Sequence, residues 1–143
     1  EYSLWIYGDG ELRGKLEQLV KDFGLEKKVV FGGNVEDIHK RISDAEIFVL
    51  PSNYEGLSNA LLEAMMMGFP CVSTRCAGSD EYIVNNENGL LVDIDDKEEM
   101  KTAILSYIEN REFMERCGDN AKKVSERVSA KAVLQKWYVL ISQ

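Results

Sequence analysis

Short apolar runs alternate with longer amphipathic stretches over the first two thirds of the chain. Leu4 to Tyr7, Lys28 to Phe31, Ile47 to Leu50, Cys71 to Ser73 and Leu90 to Val92 have strand length, carry bulky apolar residues, and are bounded by Gly, Pro, Asn or Asp. Between them, Glu11 to Phe23, Val35 to Ile42, Ser58 to Met67 and Asp80 to Val84 read as helices. In the clearest of these, Ala60, Leu61, Ala64 and Met65 share one face, and Gly68 followed by Phe69-Pro70 supplies a stop. Such alternation predicts parallel βαβ units, an α/β sheet with flanking helices. After Asp93 the strand signals cease. Lys97 to Asn110, Glu112 to Arg127 and Ala130 to Ile141 read as three helices of a helical C-terminal tail, with Asp95 or Asp96 as the cap of the first and Ser129 as the cap of the last. With no repeat, low-complexity tract or linker, residues 1–143 read as a single domain.

Composition narrows the function classes. The 143 residues suffice for a substantial core, and 45% hydrophobic with 29% charged residues is ordinary for a globular protein. A formal net charge of −8, from 25 acidic and 17 basic residues, disfavours binding to a nucleic acid backbone. No apolar run approaches the roughly 18–20 residues that span a bilayer, and no signal-peptide pattern is present, which reads as cytoplasmic. Cys71, Cys76 and Cys117 form no metal-type pair and read as small apolar core residues. His39, the only histidine, lies in a polar helical stretch, which argues against histidine triads and multi-histidine metal sites.

The densest chemistry lies at one strand-to-helix turn. Pro51-Ser52-Asn53 ends a strand, and the next helix begins near Ser58. The first turn of a helix presents unpaired amides and the positive end of its dipole, which favours an anion such as a nucleotide phosphate. Glu55 stands at the mouth of that turn. Glu63, at about 100° per residue, falls on the helix flank away from Ala60 and Ala64. A carboxylate there can accept two hydrogen bonds from a vicinal diol such as that of a ribose, each worth about 1.5–3 kcal/mol because the acceptor is charged. Taken alone, the pair also reads as a turn acid and a solvated helix residue.

Right-handed crossovers place strand C-termini along one edge of an open, Rossmann-like sheet, where ligands bind. Gly8-Asp9-Gly10, Gly32-Gly33-Asn34 and Ser52 to Ser58 are the loops expected there, although each glycine also reads as an ordinary turn residue. Other chemistries fit less well. Gly8-x-Gly10 with Gly14 misses the dinucleotide fingerprint by one residue, and Phe31-Gly32-Gly33 stands where a ribose-binding acid belongs. The P-loop sequence is absent. Paired carboxylates can serve glycoside hydrolysis, but a carboxylate part-way along a helix suits ribose binding better. Asp95-Asp96 are adjacent and form no Asp-x-Asp metal pair.

The phrase from Glu55 through Met65, then Gly68-Phe69-Pro70-Cys71-Val72-Ser73-Thr74 and Ala77-Gly78-Ser79-Asp80-Glu81, closely resembles the donor-site signature of family-4 glycosyltransferases. These are retaining enzymes with two Rossmann-like domains, the GT-B architecture. Their signature has two glutamates separated by seven residues, as Glu55 and Glu63 are. Leu4 to Glu11, Val29 to Val35 and Asn88 to Val92 extend the resemblance with less specific motifs. Glu46 departs from the family's usual Asp. A larger departure is the strand, Arg and Lys with which the family's second domain opens. None of Arg13, Lys15 or Arg75 matches those positions, and the absent strand would lie mid-sheet, between Leu4 to Tyr7 and Ile47 to Leu50. An upstream segment or another chain would supply it, or the two flanking strands would approach each other directly.

The resemblance implies the C-terminal half of a GT-B enzyme, a nucleotide-sugar-binding domain for a UDP-, GDP- or ADP-sugar. Glu63 would bind the ribose hydroxyls, and Glu55, the candidate catalytic residue, would lie by the donor sugar. The amides of Gly56, Leu57 and Ser58 would face sugar and diphosphate, with Gly8, Gly10, Gly33, Ser52 and Asn59 completing the donor site. A hexose would pass with retention, by same-face attack, to a glycan, a lipid-linked saccharide or another acceptor, with no metal and no other cofactor. The acceptor would bind a missing N-terminal domain, so this chain alone is expected to be inactive. Peripheral membrane association of the full-length protein is compatible with such a role. The alternative is a non-catalytic nucleotide-sugar-binding or interaction domain of the same fold. A sugar-nucleotide epimerase would want a histidine and more carboxylates in the cleft, and His39 is poorly placed for that.

Overall fold

In a computed structural model the chain is described over residues 2–142. It forms two compact units, one up to Asp44 and one from Ala45 onward. In the first, β1 (Leu4–Tyr7) and β2 (Val29–Gly33) form a parallel pair joined through α1 (Arg13–Asp22), and α2 (Ile38–Arg41) follows. Leu4 lies opposite Val29, and a bulge after Ile6 brings Tyr7 opposite Gly33. The strand expected to end at Phe31 therefore runs on, and Gly32 and Gly33 belong to it rather than to a following loop. A side chain at Gly32 would press on the Tyr7 ring, with its Cβ 2.6 Å from two ring carbons. Both helices are shorter than expected. The Asp37 carboxylate accepts the Lys40 amide and caps α2, so the segment from Val35 to Glu36 stays outside it. No described residue of this unit is fully buried.

The second unit holds the core. β3 (Phe48–Leu50), β4 (Cys71–Thr74) and β5 (Leu90–Val92) form a parallel sheet in the order β3-β4-β5. The strands thus make two sheets, as a chain lacking the mid-sheet strand between Leu4 to Tyr7 and Ile47 to Leu50 would. The helices are α3 (Asn59–Met67), α4 (Ala77–Tyr82), α5 (Lys97–Glu109), α6 (Arg111–Ala121), α7 (Val124–Val128) and α8 (Ala130–Ile141). The single helix expected over Glu112 to Arg127 is broken at Lys122-Lys123. Met114, Cys117, Ala121 and Val124 all remain buried across the break, so the apolar periodicity reads straight through it. α4 starts three residues before the expected Asp80, after Cys76 in an extended capping conformation, and ends at Tyr82. There the Asn88 side chain takes the Val84 amide, 2.7 Å away.

Local chemistry explains the other boundaries. Asp96 caps α5 by accepting the Glu99 amide at 2.8 Å, whereas Asp95 adopts φ 64° and accepts from the Asn53 side chain. Ser129 caps α8. Gly68, at φ 87°, closes α3 in the left-handed region where glycine carries no Cβ penalty. α6 backs onto that turn so closely that a Cβ at Gly118 would overlap the Gly68 carbonyl oxygen. α3 buries Leu61, Leu62, Ala64 and Met65. Ala60, expected on that face, is exposed, because burying Leu62 removes more apolar area than burying Ala60. Among the described residues no helix is long and apolar enough to cross a membrane. α8 nonetheless exposes Leu134, Trp137, Tyr138, Leu140 and Ile141.

Tyr107 sits at the centre of the core with Val72, Leu90, Val92, Met114 and Cys117. Burial pushes up the Tyr107 phenol and the Cys71 and Cys117 thiols, because the interior disfavours their anions. All three cysteines are buried and free, as their reading as core residues required. Groups raised in this way stabilise the fold fully below their unfolded-state values, about 8.5 for a thiol and 10 for a phenol. That stability is lost as pH rises beyond those values. Denaturant midpoints should accordingly hold steady from pH 7 to about 8.5 and then fall steadily. A midpoint unchanged at about pH 10.5 would contradict the buried placement of these groups.

Candidate functional site

Because the three strands of the second unit are parallel, Leu50, Thr74 and Val92 end along one edge of its sheet. The segment from Pro51 to Ser58 leaves β3 there and enters α3. Ser58, buried, caps the helix by accepting the Leu61 amide on its hydroxyl, and its carbonyl takes the Leu62 amide. The amides of Asn59 and Ala60 remain at the helix mouth, where a helix supplies no internal acceptor. Glu55 is half-buried just ahead of that mouth. Glu63 is half-buried on α3 and shares a face with the exposed Asn59, four residues earlier. Tyr54, 92% exposed, lies at the outer tip of the loop.

The loop is fastened at both ends. The Ser52 carbonyl accepts hydrogen bonds from the Thr74 hydroxyl and the Cys76 thiol, the latter at 3.0 Å, and Thr74 also reaches the Leu50 carbonyl at 3.3 Å. Farther along, the Gly56 carbonyl oxygen lies against Gly78 in the first turn of α4, where a Cβ would overlap it. Asn53 donates to Asp95 at 3.2 Å, so the loop after β5 joins the same edge. Arg75 bridges Asp80 at 3.1 Å and Asp93 at 3.4 Å. Ser52, Glu55, Gly56, Leu57, Ser58, Asn59 and Glu63 are thus brought together on one strand-loop-helix segment.

Gly8, Gly10 and Gly33 belong to the other unit, at the C-terminal edge of the two-stranded sheet. Gly8, at φ 113°, donates its amide to the Gly33 carbonyl at 2.8 Å, and Gly33 itself adopts φ 64°. Both conformations favour glycine. The Asp9 carboxylate accepts the Gly10 amide at 2.8 Å. Arg13, in an ion pair with Glu17 and near Asp9, reaches to 3.5 Å from where a Gly33 Cβ would stand. Its hydrogen bond to the Glu17 carboxylate holds the Arg13 guanidinium above its ordinary value, and Arg13 is a cation beside those glycines.

Sequence alone does not single out Thr74 or Gly78. The signals for them are a hydroxyl residue at the end of a short strand and a glycine in the first turn of a helix. Among the described residues no three His, Cys, Asp or Glu side chains are grouped to hold a metal ion.

Residues 1–124 match the family described as glycosyl transferases group 1. The lipopolysaccharide core biosynthesis glycosyltransferase LpsE of Rhizobium meliloti is 36% identical over 116 residues, covering 81% of this chain and 34% of that protein. A TarM variant of S. aureus in complex with fondaparinux, α-GlcNAc-glycerol and UDP superposes with a TM-score of 0.89 at 28% identity, over 99% of this chain and 29% of that one. Anabaena HepE in complex with UDP-glucose superposes with a TM-score of 0.88 at 25% identity, over 98% of this chain and 40% of that one. The chain thus spans about a third of the length of the curated relatives it matches.

Proposed function

Because the chain belongs to the group 1 glycosyl transferases, we propose that it is the donor-binding region of a retaining hexosyltransferase that uses a nucleoside diphosphate sugar. The observation that carries this reading is the strand-loop-helix segment from Phe48 to Met67. It sets two half-buried carboxylates, Glu55 and Glu63, on either side of a capped helix mouth. In this role the helix mouth and the loop amides of Gly56, Leu57 and Ser58 receive the diphosphate, since amides and dipole both favour an anion. Glu63, one turn into α3, accepts hydrogen bonds from the ribose diol. Glu55 meets the hydroxyls of the transferred sugar and acts where that sugar leaves the diphosphate.

The similarity to proteins crystallised with UDP and with UDP-glucose supports a nucleotide-sugar donor. Transfer is to a glycan or lipid-linked acceptor held by a further N-terminal region, by same-face attack without a protein nucleophile, metal or other cofactor. The protein works in the cytoplasm. The test is calorimetric titration of the full-length protein with UDP, GDP, ADP and the matching sugar nucleotides. One nucleoside diphosphate should bind at least tenfold more tightly than its nucleoside, because the diphosphate supplies the charge that the helix mouth attracts. Binding of none of the three would overturn the reading.

A further inference from the structure

The segment from Ser73 to Ser79 fixes the shape of the donor loop, and it does so through groups that have no reach to a ligand of their own. Ser73 and Ser79 are fully buried and share a hydrogen bond of 2.8 Å, while Ser73 also donates to the Thr74 carbonyl at 3.1 Å. These bonds lock the first turn of α4 to the end of β4. On that fixed piece stand the two fastenings of the loop, the Thr74 hydroxyl under Ser52 and Gly78 against Gly56.

The second contact has a directional consequence. A Cβ at Gly78 would collide with the Gly56 carbonyl oxygen and come within 2.7 Å of its carbon and 3.0 Å of the Leu57 Cα. All three are backbone atoms, so no rotamer change relieves the overlap. The Gly56 carbonyl therefore points at α4. In a trans peptide the N–H lies opposite the C=O, and no cis bond occurs among the described residues. The Leu57 amide consequently points away from α4, and both Gly56 and Leu57 are exposed.

We infer that Gly78 and Thr74 are positioning residues of the donor site. Gly78, by lacking a side chain, lets the Gly56–Leu57 peptide turn its N–H toward the ligand side, and Thr74 holds the entry of the same loop through the Ser52 carbonyl. This rests on the donor-binding reading above. It adds that loop shape sets affinity for the anionic part of the donor, beside the contacts of the two glutamates with its hydroxyls.

The experiment titrates UDP, GDP and ADP into the full-length protein and into Gly78→Ala, Thr74→Val, Thr74→Ser and Tyr107→Phe variants, at a temperature where circular dichroism shows each to be folded. Gly78→Ala should weaken the best-bound nucleotide at least tenfold, and Thr74→Val about threefold to tenfold. Thr74→Ser, which keeps the hydroxyl, should bind within about twofold of the parent. Tyr107→Phe, a core change remote from the loop, should lower the melting temperature without altering affinity, which separates positioning from general destabilisation. If Gly78→Ala fails to fold, the contrast between Thr74→Val and Thr74→Ser decides. Parent-like affinity in Thr74→Val and in any folded Gly78→Ala overturns this inference alone. A parent that binds no nucleotide overturns the donor-binding reading and this inference with it.

Discussion

Glu63→Ala is expected to weaken binding of the donor nucleotide by about 10-fold to 150-fold, the equivalent of one charge-assisted hydrogen bond of about 1.5–3 kcal/mol, and by more if both ribose hydroxyls are engaged. The helix itself should survive. Glu63 lies inside α3 on its half-buried flank, and alanine is the best helix former. The discriminating measurement pairs the mutation with a change in the ligand. In the parent, the 2′-deoxy form of the preferred nucleotide should bind more weakly than the ribose form, whereas Glu63→Ala should bind the two alike. Non-additivity of this kind identifies a direct contact, because each change removes the same interaction. A variant that still prefers the ribose form by the parent's ratio would show that Glu63 does not meet the diol, whatever its effect on overall affinity. Glu55→Ala serves as the contrast. Its carboxylate stands ahead of the helix mouth, so its loss should act on the sugar nucleotide and leave the bare diphosphate nearly unaffected.

Much of this arrangement was legible in the sequence because its chemistry is local. A proline-bounded apolar run, Ser58 before an apolar stripe and Gly68 after it specify a strand, a cap and a stop within a few residues of one another. The structure has each of them where it was expected. What the sequence withheld depends on pairing between distant segments. The bulge after Ile6, which moves Gly33 into β2, arises from the register with β1. The break between α6 and α7 left no trace because the buried positions keep helical spacing through it. The orientation of α3 that exposes Ala60 follows from burying the larger Leu62 in its place. The roles of Thr74 and Gly78 belong to the same class. Each acts on a loop about twenty residues earlier in the chain, through a carbonyl that sequence cannot point.

Tyr107→Ala is expected to be the most destabilising single change, costing about 3–5 kcal/mol as aromatic-to-alanine substitutions in close-packed cores do. The ring is 0% exposed. It packs at 5.3 Å from Phe113 and carries its hydroxyl to the Cys71 carbonyl at 3.3 Å. Its removal opens a cavity beneath β4 and strips a buried carbonyl of a donor, two costs that add. At about 4–8 °C per kcal/mol for a unit of this size, the melting temperature should fall by more than about 10 °C. Tyr107→Phe keeps the ring and loses only the hydrogen bond, about 1 kcal/mol, and so separates packing from polarity. Both variants also differ from the parent in alkali. With the phenol gone, Tyr107→Phe should lose the part of the alkaline decline that sets in above about pH 10 and keep the part that begins near 8.5, which belongs to the thiols. An Ala variant within about 1 kcal/mol of the parent would mean that the core does not close on this ring.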